Sequence, residues 1–198
     1  MARTTLVYLH GFNSSPDGAK SSIIAAAIGQ LADPPRLWRP QLDHRPAKAV
    51  GDVGDWIARN ASDIATLTLV GSSLGGFYAI GLAERFGARA VLINPAIHPE
   101  RSLAAYAGLQ VNPYTGETYE LDEEHFGQLR ALAVDRITRP DRYLLLQRSG
   151  DELLDWREAV EYCAGAWQHV IGGGDHGWED FASEVPTLLE FCGVSTMR

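Results

Sequence analysis

Four short stretches carry residues whose types and spacing suit acyl chemistry at a serine. Gly71-Ser72-Ser73-Leu74-Gly75 is a G-x-S-x-G pattern. Its glycines leave room for a turn too tight to hold a Cβ, with Ser73 at the apex in strained backbone. A helix starting at Leu74 turns its positive end toward a developing oxyanion. Tyr8-Leu9-His10-Gly11-Phe12-Asn13 places the Phe12 amide where it and the Leu74 amide can form an oxyanion hole. His10 reads as a brace for that loop rather than a proton carrier. Ser149-Gly150-Asp151-Glu152-Leu153-Leu154-Asp155 offers three acids. Asp151, nearest the preceding strand, is the candidate to orient a histidine, with Asp155 second. Glu152 and Asp155 resemble a first helical turn, where acids suit the dipole. Gly172-Gly173-Gly174-Asp175-His176-Gly177-Trp178 ends a glycine run in His176, and an imidazole is the side chain whose chemistry suits a general base. Asp175 is adjacent in sequence, so its side chain diverges from that of His176.

The elements that must position these groups follow from hydrophobic periodicity. Apolar runs at Leu6–Leu9, Leu37–Leu42, Thr66–Val70, Ala90–Ile93, Tyr143–Leu146 and Trp167–Ile171 alternate with helical patterns. Those patterns include Ile23, Ile24, Ala27, Ile28 and Leu31, then Val50, Val53, Trp56 and Ile57. Others are Leu74–Phe86 closed by Gly87, the set Trp156, Ala159, Val160 and Cys163, and a final set from Phe181 to Cys192 in which Pro186 marks a kink or a fresh start. Strands apolar throughout, alternating with amphipathic helices, predict a mostly parallel α/β sheet of about six strands covered on both faces. The alternation breaks once, at about 97–140, a mixed, turn-rich and aromatic stretch that reads as a cap beside the site. Ser73, Asp151 and His176 then each follow a strand.

At 198 residues the chain reads as one domain, with 45% hydrophobic and 21% charged residues as in ordinary globular proteins. A net charge of −8 and the lack of a Lys/Arg-rich block weigh against a nucleic-acid partner. Cys163 and Cys192 sit in apolar helical patterns without zinc spacing and read as small buried hydrophobes. No secretory signal is evident, and the apolar runs are far shorter than the roughly 20 residues of a membrane span. A cytoplasmic enzyme is the expectation, with no cofactor and no metal. The remaining histidines, His44, His98, His125 and His169, lack a comparable setting.

The order Ser73…Asp151…His176 is that of the α/β-hydrolases. Tyr8-Leu9-His10-Gly11-Phe12-Asn13-Ser14-Ser15-Pro16, Gly71-Ser72-Ser73-Leu74-Gly75-Gly76, Ile93-Asn94-Pro95-Ala96 and Gly150-Asp151-Glu152 resemble the compact bacterial YqiA/YcfP-type esterases over nearly the whole chain. The resemblance implies a minimal α/β-hydrolase fold. It also implies hydrolysis of a small acyl ester or acyl thioester, with Ser73, Asp151 and His176 as the triad. Some relatives of this fold carry the acid after the preceding strand, where this chain has Asn94. The acyl pocket is expected to involve Phe12, Tyr78 and Trp178 with the cap residues Tyr106, Leu109 and Tyr114. Other acyl-transfer chemistries (lactonase, peptidase, perhydrolase) and a non-catalytic binding role stay open, as does the oligomeric state.

Overall fold

The computed structural model describes residues 2–194. The strands in chain order are β1 Arg3–Leu9, β2 Arg36–Trp38, β3 Ile64–Ser72, β4 Arg89–Ile93, β5 Gly108–Val111, β6 Thr118–Leu121, β7 Tyr143–Arg148 and β8 Trp167–Ile171. Six of them form one sheet in the order β2-β1-β3-β4-β7-β8, with every neighbouring pair parallel. The helices are α1 Ala19–Ile28, α2 Pro46–Arg59, α3 Leu74–Phe86, α4 Pro99–Ser102, α5 Glu123–Leu132, α6 Trp156–Tyr162 and α7 Val185–Phe191.

Side-chain alternation divides the core into two layers. Val7 and Leu9 of β1, with Leu69, Leu92 and Leu145, pack against α2, α3 and α5. Leu6, Tyr8, Val70, Val91, Ile93 and Leu146 point the other way, against α1 and α7. The central strands β1, β3, β4 and β7 are thus buried on both faces over most of their length, which is why the sequence shows unbroken apolar runs there. The edge strand β8 is largely exposed, contrary to the expectation that every strand is covered on both faces. Both cysteines lie in these layers, and desolvation pushes each thiol up to about 12, so they act as small hydrophobes.

Two boundaries differ from the sequence expectation. The strand expected over Leu37–Leu42 stops at Trp38, because Pro40 has no N–H to give the ladder. Leu31 falls beyond α1, which ends at Ile28. Pro186 marks a fresh start: a 3₁₀ turn over Phe181–Glu184 hands over to α7, with the proline in the first turn.

The stretch at about 97–140 contains α4, a 3₁₀ turn, the antiparallel hairpin β5–β6 and α5. Asp122 caps α5 by accepting the amides of Glu124 and His125. Asn13, in the loop after β1, donates to Gln110 and accepts from the Tyr119 hydroxyl at 2.7 Å, so the hairpin is tied to the loop that follows the first strand.

Candidate active site

The loops at the carboxyl ends of β1, β3, β4, β7 and β8 converge on one edge of the sheet. Ser73 sits between β3 and α3 with φ +56°, one of four non-glycine residues at positive φ among the described residues. The glycines two positions to either side cannot carry side chains. A Cβ on Gly71 would lie 2.2 Å from the Gly75 carbonyl oxygen, and one on Gly75 would lie 2.0 Å from the Leu9 carbonyl oxygen. The Ser73 amide donates to the Ile93 carbonyl at 3.0 Å, and the Ser73 carbonyl accepts from Gly76 and Ala96. The strained turn is therefore held on both sides by backbone.

Gly11 abuts this turn: a Cβ there would lie 3.2 Å from the Ser73 Cβ. Phe12 follows directly, and Phe12 and Leu74 both line the cavity in front of Ser73. His10 is buried and braces the loop, with Nδ1 donating to the Gly11 carbonyl and Nε2 accepting the Leu42 amide, each at 3.0 Å. Desolvation lowers its pKa.

The loops after β7 and β8 are packed backbone to backbone. Gly150 donates to the Gly173 carbonyl, and a Cβ on Gly150 would lie 2.3 Å from the Gly174 carbonyl oxygen. This contact brings Asp151 Oδ2 to 2.8 Å from His176 Nδ1, with the Asp151 side chain fully buried and that of His176 16% exposed. Asp155 caps α6 by accepting the Arg157 amide. Asp175 accepts the Trp178 amide of its own loop at 2.6 Å. Of the candidate acids, Asp151 alone meets the imidazole through its side chain. Glu152 instead accepts the His176 backbone N–H at 2.9 Å.

Ser73 and His176 line one cavity of about 570 Å³, within the range of small-molecule sites. Among the described residues no hydrogen bond joins Ser73 Oγ to the imidazole, a common state of catalytic pairs before substrate binds. No trio of His, Cys, Asp or Glu among the described residues is placed to hold a metal.

Residues 5–193 match the model of the Uncharacterised protein family (UPF0227), the family of the YqiA/YcfP proteins. The chain belongs to that family. The UPF0227 chain shares its fold with solved α/β-hydrolases. Est1E from Butyrivibrio proteoclasticus superposes with a TM-score of 0.70 at 14% identity, covering 97% of this chain and 89% of that one. Alpha/beta hydrolase domain-containing protein 10 from mouse gives 0.68 at 17% identity, covering 96% and 87%. The esterase domain of a Rhodothermus marinus protein gives 0.66 at 17% identity, covering 95% and 86%. At these identities the likeness establishes the α/β-hydrolase fold.

Of the side chains expected in the acyl pocket, the UPF0227 structure places Phe12 and Tyr106 on the cavity wall, their ring centroids 6.0 Å apart. Tyr78 is buried behind Leu74 and borders a smaller pocket with His44 and Tyr119. Trp178 is 2% exposed in the core, edge-on to Phe181 and under the Arg148 guanidinium. Leu109 stands exposed on β5 and Tyr114 in the turn between β5 and β6, both outside the cavity. The reason is directional: the hairpin lies over the β1 loop, so α4 and the 3₁₀ turn at Ala104–Tyr106 face the site instead.

Four residues at the site were not singled out by type or spacing. Asn94, 1% exposed and at φ +40°, donates to the carbonyls of Asp175 and His176 and accepts the Arg148 amide at 2.9 Å. Leu153 and Leu154 line the cavity, and their amides donate to Asp151. Lys20 also lines it, and its Nζ donates to the His176 carbonyl at 3.3 Å. A signal for Lys20 exists in the sequence, since a cation in the first turn of a helix opposes the dipole.

Proposed function

We propose that the chain hydrolyses small carboxylic acyl esters or thioesters through an acyl-enzyme on Ser73. His176 Nε2 takes the Ser73 proton as Oγ attacks the acyl carbonyl, and the amides of Phe12 and Leu74 bind the oxyanion. The buried Asp151 carboxylate keeps the imidazole proton on Nδ1 and stabilises the imidazolium. His176 then hands its proton to the departing alcohol or thiol. In the second half, His176 activates a water that attacks the acyl carbonyl, and Ser73 Oγ recovers its proton as the acid leaves.

The observation that carries this reading is the 2.8 Å Asp151–His176 pair opening onto the same cavity as a serine held at φ +56°. A serine in a sharp turn between strand and helix, with a base oriented by a buried acid, is the arrangement nucleophilic catalysis requires. Ester hydrolysis also agrees with the esterase domain from Rhodothermus marinus that shares the fold.

The test is labelling with a fluorophosphonate probe followed by mass mapping. The expected adduct is on Ser73, absent from Ser73→Ala and suppressed in His176→Ala. An adduct on Ser72, or labelling that survives Ser73→Ala, overturns the assignment.

A further inference from the structure

The cavity in front of Ser73 has two walls of different chemistry. The stretch 99–106 and residues 153–154 supply an apolar wall through Pro99, Leu103, Ala105, Tyr106, Leu153 and Leu154. The other wall comes from the end of β1 and the loop into α1. Beside Phe12 and Ala19 it carries the polar groups of Tyr8, Ser14, Ser15 and Lys20.

Lys20 is the one lysine or arginine on the cavity wall, and it has no ionic partner of its own. Among the described residues no carboxylate oxygen lies within 4.0 Å of its Nζ, which bonds only the His176 carbonyl. The other ionic group on the wall, Glu152, is engaged by the His176 amide. Burial draws the Lys20 ammonium below the ordinary lysine range, an effect partly offset by Asp175 and Asp151. A desolvated cation facing a cavity gains more from an incoming anion than one in bulk water does. Its place in the first turn of α1 costs helix stability, since the dipole there favours an anion.

We infer that Lys20 is a specificity residue that binds a free carboxylate on the leaving-group portion of the substrate. The acyl portion then lies on the apolar wall. This rests on the ester-hydrolase reading above. The side follows from that mechanism. His176 must deliver a proton to the departing oxygen or sulfur, so the leaving group lies beside His176, where Lys20 also sits. A monoanion is the matching class. A phosphate dianion would meet the Glu152 carboxylate on the wall, and the negative field of Asp175 and Asp151 behind it, with a single cation to answer it.

The test compares two near-isosteric esters, the pentanoyl esters of 4-hydroxybenzoate and 4-hydroxybenzamide. The neutral carboxamide is the better leaving group, so chemistry alone favours it. The expected result is a wild-type kcat/KM higher for the carboxylate ester by about tenfold or more, in line with a charge-assisted hydrogen bond. In Lys20→Met that ratio falls to about one or below, chiefly through KM, and Lys20→Arg retains most of it. The ratio cancels any general loss caused by loosening the His176 loop. An unchanged ratio in Lys20→Met overturns the inference. So does a wild-type preference for the carboxamide, for a phosphate-bearing leaving group, or for a carboxylate in the acyl chain. A second arm measures binding of the carboxylate ester to Ser73→Ala protein by calorimetry, with and without Lys20→Met. This arm needs no turnover: it reads Lys20 even where labelling fails at Ser73, and loss of binding in the double variant is the expected result. Equal binding with and without Lys20 overturns the inference.

Discussion

Asp151 uses its two carboxylate oxygens differently, one for His176 and the other for its own loop. Oδ2 lies 2.8 Å from His176 Nδ1, while Oδ1 accepts the amides of Leu153 and Leu154, each at 3.0 Å. The two amides fix the carboxylate plane, so the imidazole meets an acceptor that cannot swing away. Asp151→Asn replaces an acceptor by an amide that can present NH₂ to Nδ1, favouring the wrong imidazole tautomer. Turnover is expected to drop about 10³–10⁴-fold with the fold intact. Asp155→Asn keeps a helix cap and is expected to change turnover less than about threefold. Steady-state kinetics on a nitrophenyl ester, with circular dichroism as the folding control, decide between the two acids.

Asn94 occupies the place after β4 where an acid could have stood, and it serves as a clamp. Its carbonyl receives the Arg148 amide of β7, and its NH₂ reaches the carbonyls of Asp175 and His176. Asn94→Ala leaves these buried groups unpaired and is expected to cost about 1–3 kcal/mol of stability. It should lower kcat about 10–100-fold with little change in KM, because the histidine loop is held less firmly. Asn94→Asp should be no better, since a carboxylate would face two carbonyl oxygens. A KM effect larger than the kcat effect would show that Asn94 contacts substrate instead of positioning His176.

The strand–helix alternation and the positions of Ser73, Asp151 and His176 in loops that follow strands were legible because each is local. A buried parallel strand writes itself as an apolar run, and a tight turn writes itself as glycine. Gly87, with φ +64° at the end of α3, is such a local mark. What was not legible depends on distant packing. Trp178 and Tyr78 have the composition of ligand contacts, yet both are core residues: the Trp178 loop turns inward under Arg148, and Tyr78 lies on a buried face of α3. Leu109 and Tyr114 failed for the opposite reason: the β5–β6 hairpin docks on Asn13 through Tyr119 and Gln110, which leaves those two side chains outside the cavity. No periodicity records how an insertion docks.

Gly75 is the position where the elbow tolerates least. An added Cβ would sit 2.0 Å from the Leu9 carbonyl oxygen and 2.7 Å from that of His10, both backbone atoms that cannot rotate aside. Gly75→Ala must therefore shift β1 against α3. The expected loss is about 3 kcal/mol or more, seen as insoluble expression or a Tm lowered by about 6–12 °C or more. Gly127→Ala in α5, where only a distant guanidinium nitrogen approaches, provides the contrast and should leave Tm within a few degrees. A soluble Gly75→Ala with wild-type Tm would mean that the turn is looser than its contacts imply.

Stability should fall between pH 7 and pH 5, and His10 should account for part of the slope. Both of its ring nitrogens are engaged, and protonating Nε2 would expel the Leu42 amide. Burial lowers the pKa of His10, and desolvation lowers that of His44 as well, so both stay neutral in the folded chain at pH values where the unfolded chain is protonated. The unfolded state then binds more protons below about pH 6.5, and the slope of stability with pH is positive there. The contribution is complete above the unfolded-state pKa and is lost as pH falls toward the folded-state one. Asp43, held at about 2 by its hydrogen bonds from Arg45, acts in the same direction but only in more acidic solution. His10→Gln keeps an acceptor for Leu42 without a titrating ring. It should be less stable at pH 7, yet its stability should fall less steeply to pH 5, by at most about 1.4 kcal/mol per pH unit relative to wild type. Urea unfolding at pH 7, 6 and 5 measures both slopes, and parallel lines would assign the acid sensitivity to other groups.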